Sequence, residues 1–342
     1  MKTKVVAVFM VVLLTVGLFA GCSQDSKDTE ASGNNDAKTA EVVQTDAEQT
    51  EEDVEQEDKS YTFGATYMTL NNPFFVALNN GIKDVVEAND DVLIALDPAL
   101  DPNKQVSQIE DLISQGVDAI FVNPADWKGI RPALEAAEKA GVPIINVDAP
   151  VYDTELVSSI IASDNYNAGV ICAQDMMSKL DSAKIVVLEH PTAKSAIDRT
   201  QGFIDTIAGM DQYEIVAQQS SEGQLEQAMP VMENIIQANP EIDVVMALND
   251  PTAMGALAAL LSAKREEGVL IYGVDGAPEA KQMIRDGKMT ATAAQSPITI
   301  GKTAAEVAYT LLEGGEVDKE IFVDVIFIDE NNVDEYGTTA WQ

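Results

Sequence analysis

The chain has 342 residues, of which 46% are hydrophobic. That length suits two domains of ordinary size, and the apolar fraction is ample for buried cores. With 57 acidic against 21 basic residues the net charge is -36, which argues against a nucleic-acid partner, since binding one needs a basic face.

Taken in order, the chain begins with Lys2 and Lys4, followed by an apolar run over residues 5–20. Such a run is short for a membrane span and suited to a signal peptide. It ends in Leu18-Phe19-Ala20-Gly21-Cys22, which resembles a bacterial lipobox, with Phe19 where leucine is usual. On that resemblance residues 1–22 form a lipoprotein signal and Cys22 is the lipid anchor. The alternative is an ordinary cleaved signal with an incidental cysteine. Residues 23–60 carry thirteen acidic residues against three lysines and no apolar periodicity. A segment of this kind cannot bury enough surface to offset its ordering entropy, so it reads as a disordered acidic tether. The expected location is the cell envelope, on the outer face of the cytoplasmic membrane.

From Tyr61 short β-rich runs alternate with helical stretches. Strands are predicted at 61–67, 92–96, 119–122, 143–147 and 157–162, with helices over 73–88, 104–115 and 129–140 between them. The pattern then begins again. Strands at 183–188, 213–219, 244–248, 270–274 and 289–295 interleave with helices over 165–179, 195–208, 223–237, 250–263 and 278–285. A helix over 299–312 and a last strand over 321–328 follow. Val106, Ile109, Leu112 and Ile113 show the spacing of one helix face. Nearly all-apolar strands indicate sheets covered on both faces. The alternation specifies an α/β fold of parallel sheets with right-handed crossovers, in two similar lobes.

The strand ends share a chemistry. They read Asn71-Asn72, Asn123-Pro124-Ala125-Asp126-Trp127, Asp148-Ala149-Pro150, Asn249-Asp250-Pro251, Asp275-Gly276 and Gln295. The carboxyl edge of an open α/β sheet is where ligands sit. Carboxylates and carboxamides can each engage two neighbouring hydroxyls. Phe74, Phe75 and Trp127 lie close by in sequence, and flat rings suit the C–H faces of a sugar. Helix capping is the alternative reading for any one of these residues, Asn72 before Pro73 above all. It does not account for the whole set.

Catalytic motifs are missing: there is no G-x-S-x-G, phosphate loop or dinucleotide fingerprint. One histidine, His190, and two cysteines, Cys22 and Cys172, cannot build a metal cluster or a nucleophile pair. No metal, cofactor or enzymatic activity is expected. Asp148 and Asp275 as an acid/base pair is the enzyme alternative.

These residues resemble the ribose-binding-protein-like, type I periplasmic binding protein family of ABC sugar transporters. The resemblance runs from Tyr61 to about Asp329. Its most specific pieces are Thr69-Leu70-Asn71-Asn72-Pro73-Phe74-Phe75, Ala162-Ser163-Asp164-Asn165, Asn249-Asp250 with Met254-Gly255-Ala256-Leu257, Gly273-Val274-Asp275-Gly276 and Ala293-Ala294-Gln295. It implies two Rossmann-like lobes joined by a three-crossover hinge near Ala162, Gln295 and Ile326. The lobes would be 61–162 with 296–325, and 163–295 with 326–342. The family's ligand contacts map onto Asn72, Phe74, Phe75, Asp148, Asn249, Asp275 and Gln295. Thr69, Trp127, His190, Lys194 and Arg199 are secondary candidates. Arg199 matches a family arginine for which a structural role is the stronger reading.

The sequence departs from the family's pentose binders in four places. Two expected arginines are Ala149 and Ile197, an aromatic is Gly223, and a polar residue is Met68. These changes favour a hexose, a polyol or something larger over ribose. The resulting expectation is a monomeric, lipid-anchored binding protein that delivers a neutral sugar or polyol to an ABC permease. The alternative is a tethered sugar sensor for a membrane receptor or histidine kinase.

Overall fold

A computed structural model of the chain describes residues 60–342. The expected signal, the expected lipid-anchor Cys22 and all of the expected tether but Ser60 lie outside the described residues. The first half of the chain runs β1 (Thr62–Thr66), α1 (Pro73–Ala88), β2 (Val92–Leu96), α2 (Pro102–Gln115), β3 (Ala119–Val122), α3 (Arg131–Ala140), β4 (Ile144–Val147) and β5 (Ser159–Ser163). The pattern continues as α4 (Asn165–Lys179), β6 (Ala183–Glu189), α5 (Lys194–Ile207), β7 (Tyr213–Ser220), α6 (Leu225–Ala238), β8 (Val244–Ala247) and α7 (Asp250–Ala263). Then come β9 (Leu270–Asp275), α8 (Pro278–Arg285), β10 (Ala291–Ala294), α9 (Pro297–Leu312), β11 (Glu320–Val323), β12 (Ile326–Asp329) and the short α10 (Val333–Tyr336). Proline opens α1, α2, α7 and α9 within their first turn, where its missing N–H costs nothing.

The strands form two six-stranded sheets, ordered β11-β5-β4-β3-β1-β2 and β12-β10-β9-β8-β6-β7. The first is parallel throughout. The second is parallel except for β12, which runs antiparallel to β10. Each sheet is covered on both faces, so its strands divide their side chains between two cores, except the edge strand β11, whose Phe322 is exposed. In β3, Ala119 and Phe121 join the cluster of Phe63, Leu78, Ile82 and Ile300, while Ile120 and Val122 join that of Ile109, Leu112 and Leu134. In β6, Ile185 and Val187 face Cys172, Met176 and Phe203, while Val186 and Leu188 face Met232, Leu257 and Leu260. The chain passes from the first sheet to the second after β5, returns after β10, and leaves again after β11.

One expectation is corrected. Residues 321–328, read as a single strand, are two. The chain breaks at Asp324 and Val325, and β11 extends the first sheet beside β5 while β12 extends the second beside β10. Residues 321–328 are apolar on both sides of the break, so the pattern of side chains does not distinguish one long strand from two short ones. α2 also starts earlier than its periodicity suggests, because Asp101 caps Asn103 N (2.9 Å) and Lys104 N (3.2 Å).

Candidate functional site

Parallel strands with right-handed crossovers put every βα loop at one edge of its sheet. Here the two edges meet. The loops after β1 and β4 face those after β6, β7, β8, β9 and β10 across a cavity of about 390 Å3, counting its mouth. All seven primary candidates line it: Asn72, Phe74, Phe75, Asp148, Asn249, Asp275 and Gln295. Phe74 and Phe75 meet edge to face at 5.4 Å between ring centres and form its apolar wall.

Capping and lining prove compatible. Asn72 Oδ1 accepts from Phe74 N (3.0 Å) and so fixes the start of α1. Asn249 Oδ1 accepts from Thr252 N (3.0 Å), while its Nδ2 donates to Gly223 O (3.0 Å). Asp148 sits in a left-handed backbone conformation, φ 63°, which turns its side chain out of the strand line. Its Oδ2 accepts from Asn123 Nδ2 (3.0 Å), whereas its buried Oδ1 has no hydrogen-bond partner. Asp275 Oδ1 accepts from Gln295 Nε2 (2.8 Å), leaving Gln295 Oε1 buried and unpartnered.

Arg199 is the charge at the centre. Its Nε donates to Asn165 Oδ1 (2.7 Å) and its Nη1 to Leu248 O (3.1 Å). Nη2 lies 3.9 Å from Asp148 Oδ1 and Nη1 lies 3.6 Å from Asp275 Oδ1. The position depends on a close approach of α4 and α5. A Cβ on Gly169 would lie 1.9 Å from Arg199 O, and one on Gly202 would lie 2.1 Å from Tyr166 O, so only glycine fits at either point. Arg199 therefore combines a structural place between helices with a cavity-lining one.

A third carboxylate, Asp250, lies behind these two and binds Thr292 Oγ1 (2.8 Å) and Ala277 N (2.7 Å). Burial pushes Asp148 up to about 6, against the pull of Arg199 and Asn123. Burial likewise raises Asp250, opposed chiefly by its hydrogen bonds from Ala277 and Thr292, and holds Asp275 well above the carboxylate range, opposed by Arg199. The physical cause is common: one guanidinium serves three desolvated carboxylates. The site is thus rich in acceptors and poor in cations.

The secondary candidates divide. His190 and Arg199 line the cavity. His190 is buried, its Nδ1 is 3.3 Å from Thr192 Oγ1, and its Nε2 has no partner. Desolvation lowers its pKa, which favours the neutral ring. Thr69, Trp127 and Lys194 stand outside the lining. The Thr69 hydroxyl accepts from Asn71 N (3.1 Å). Trp127 packs on Tyr152 (5.3 Å) and beneath Lys128 Nζ (4.8 Å). Lys194 is paired with Asp198. Trp127 still links the two lobes, since its backbone N–H donates to Thr192 O (3.1 Å). Of the four departures, Gly223 and Met68 line the cavity, whereas Ala149 and Ile197 do not.

Sequence reasoning missed Ser195, Glu222 and Gln224, which also line the cavity. The last two follow β7, and the same strand-end rule would have found them. Ser195 lies one turn before Arg199 on α5, a signal of helical spacing. Among the described residues no group of His, Cys, Asp and Glu could hold a metal ion, and no helix is long and apolar enough to cross a membrane.

Comparison with known proteins agrees with this architecture. A family profile described as "Periplasmic binding protein domain" matches residues 63–316. The ribose import binding protein RbsB of Bacillus subtilis is 39% identical over 265 residues, covering 77% of this chain and 85% of that protein. Among solved structures, an ABC transporter solute-binding protein of Bacillus halodurans with bound myo-inositol superposes with a TM-score of 0.77 at 26% identity, covering 82% of this chain and 98% of the other. One from Actinobacillus succinogenes with bound D-allose gives 0.75 at 30% identity, covering 81% and 100%. The two parallel-dominated lobes are the type I periplasmic binding protein fold. Family, fold and relatives lead to one conclusion: this chain belongs to the periplasmic binding protein family of ABC solute-binding proteins, whose members bind substrates and are not enzymes.

Proposed function

We propose that this chain is the extracytoplasmic solute-binding protein of an ABC importer, and that it holds a neutral sugar or polyol between its lobes for delivery to the permease. One observation carries the reading. Buried acceptors, Asp148 Oδ1 and Gln295 Oε1, are unpartnered at a cavity walled by Phe74 and Phe75. Hydroxyl groups donate to such acceptors, and ring faces cover C–H surfaces. Asn72, Phe74, Phe75, Asp148, Asn249, Asp275 and Gln295 would contact the solute, with His190 and Arg199 beside them. Binding would close a monomer about its three crossovers by a hinge motion. The lobes would be 61–162 with 296–325, and 163–295 with 326–342. Cys22 would carry the lipid, and the acidic stretch to residue 60 would be the tether.

The carboxylates set the selectivity. Burying an anion beside Asp148 opposes like charges in a dry site, so phosphorylated and carboxylated sugars should be rejected. Bound D-allose and myo-inositol in two structural relatives support a neutral polyhydroxy ligand. Relatives that are import and transporter proteins support delivery to a permease rather than to a sensory receptor. The test is titration calorimetry with D-ribose, D-allose, xylitol, myo-inositol and glucose, each beside a phosphate or acid derivative. A neutral compound should bind and its anionic derivative should not. Tighter binding of the derivative, or binding by none, would refute the reading.

A further inference from the structure

The segment after α10 returns to the cleft. Lys281 on α8 is fully buried, and its Nζ donates to Ala340 O (2.7 Å). With its amide oxygen and nitrogen interchanged, the assignment that satisfies both ends, the Gln342 carboxamide accepts from the same Nζ and donates to Gly276 O (3.3 Å). A Cβ on Gly276 would lie 2.5 Å from that carboxamide, so the end of the Gln342 side chain rests against this turn. Both anchors, Lys281 and Gly276, belong to the lobe that carries Asp275. Trp341 between them turns to the other lobe. Its ring meets Phe74 edge to face, 5.8 Å between centres and 80° between planes. It packs at once against the core cluster of α1 and the cluster of α7 and α8.

Phe74 is the inner wall of the ligand cavity, and Trp341 stands behind it. Trp341 also lines a neighbouring, mostly apolar cavity of about 690 Å3, counting its open mouth, with Pro73, Leu225, Pro251 and Met254. That cavity shares Asn72, Gln224 and Asp275 with the first. We infer that Trp341 is an interlobe strap and a positioning residue: fixed to one lobe by Lys281 and Gly276, it docks on Phe74 of the other, favours the lobe arrangement of this structure over a more open one and holds the aromatic wall in place. The effect on ligand rests on the function proposed above; the effect on the lobes does not. A single aromatic edge contact should shift the population of that arrangement roughly three- to ten-fold.

The experiment measures interlobe distances by pulsed electron resonance. Labels go on Lys83→Cys and Ser262→Cys in the full chain carrying Cys22→Ser, without ligand. Trp341→Ala should shift the distribution to longer distances by that factor, and Trp341→Phe should restore most of the short-distance population. Lys281→Met, which releases the tail and keeps the indole, should behave as Trp341→Ala does. Unchanged distributions in Trp341→Ala and Lys281→Met would overturn the strap. With D-allose as probe, dissociation from Trp341→Ala should quicken by the same factor. Unchanged dissociation beside shifted distances would remove the positioning role and leave the strap. Absence of D-allose binding even to the wild type would count against the proposed ligand role and leave the distance result to decide the strap.

Discussion

Replacing Asp148 by asparagine should stabilise the ligand-free protein while weakening its hold on a polyhydroxy solute. Burial moves this carboxyl from the ordinary 3.8 to about 6. At about 1.36 kcal/mol per pKa unit, holding it ionised in the folded state costs roughly 3 kcal/mol. Asparagine removes the charge, suits the left-handed backbone, and can keep the Asn123 hydrogen bond through its oxygen. Its new N–H group takes the place of Oδ1, which has no hydrogen-bond partner and lies 3.9 Å from Arg199 Nη2, and this returns roughly 1 kcal/mol of the gain. A net gain of about 2 kcal/mol should raise the melting temperature by roughly 3 °C. The pH dependence follows from linkage. A carboxyl whose folded pKa is raised binds its proton more tightly when folded, so wild-type stability falls as pH rises from about 4 to about 6. The advantage of Asp148→Asn is therefore largest above about pH 7 and should fade towards pH 4. Thermal melts of both proteins at several pH values measure this, and calorimetry with the best neutral ligand should show binding at least roughly tenfold weaker. A variant that is no more stable at neutral pH, or whose advantage persists at low pH, would refute the electrostatic account.

Three further outcomes follow from the same geometry. Asp275→Ala removes a buried acceptor paired with Gln295, and calorimetry should find binding weaker by roughly ten- to a hundred-fold; wild-type affinity would contradict the site. Gly169→Ala forces α4 away from the Arg199 carbonyl, so melts should show a loss of roughly 1–3 kcal/mol and calorimetry a weaker ligand; an unchanged melting temperature would mean the helices have room to spare. Cys22→Ser should leave the signal uncleaved or release the protein from membranes, as fractionation and mass measurement would detect; unaltered processing and attachment would remove the anchor.

Much of this protein was written locally. Alternating β and α patterns specify parallel sheets, and parallel sheets specify one functional edge, so Asn72, Asp148, Asn249, Asp275 and Gln295 could be named from strand ends alone. The prolines and asparagines that start helices are local signals as well, read within four residues. Other features depend on neighbours distant in the chain. Arg199 reads as one arginine on a helix. Only packing against Gly169 and the approach of Asp148 and Asp275 make it the central charge of a buried network. Trp127 and Lys194 carry suitable chemistry, but Tyr152 and Asp198 take their side chains up. The break at Asp324 is invisible to periodicity because residues 321–328 are apolar on both sides of it, and it is decided by which sheet has a free edge beside β5 or β10. Trp341 has no motif at all. Its place against Phe74 comes with the hydrogen bond from buried Lys281 to Ala340 O and with packing on the cores of both lobes. Sequence pattern thus determines which residues reach the sheet edges, since that follows from the local backbone. Tertiary structure decides which of them share a cavity and a charge, since burial and Coulomb interactions act between segments that only folding brings together.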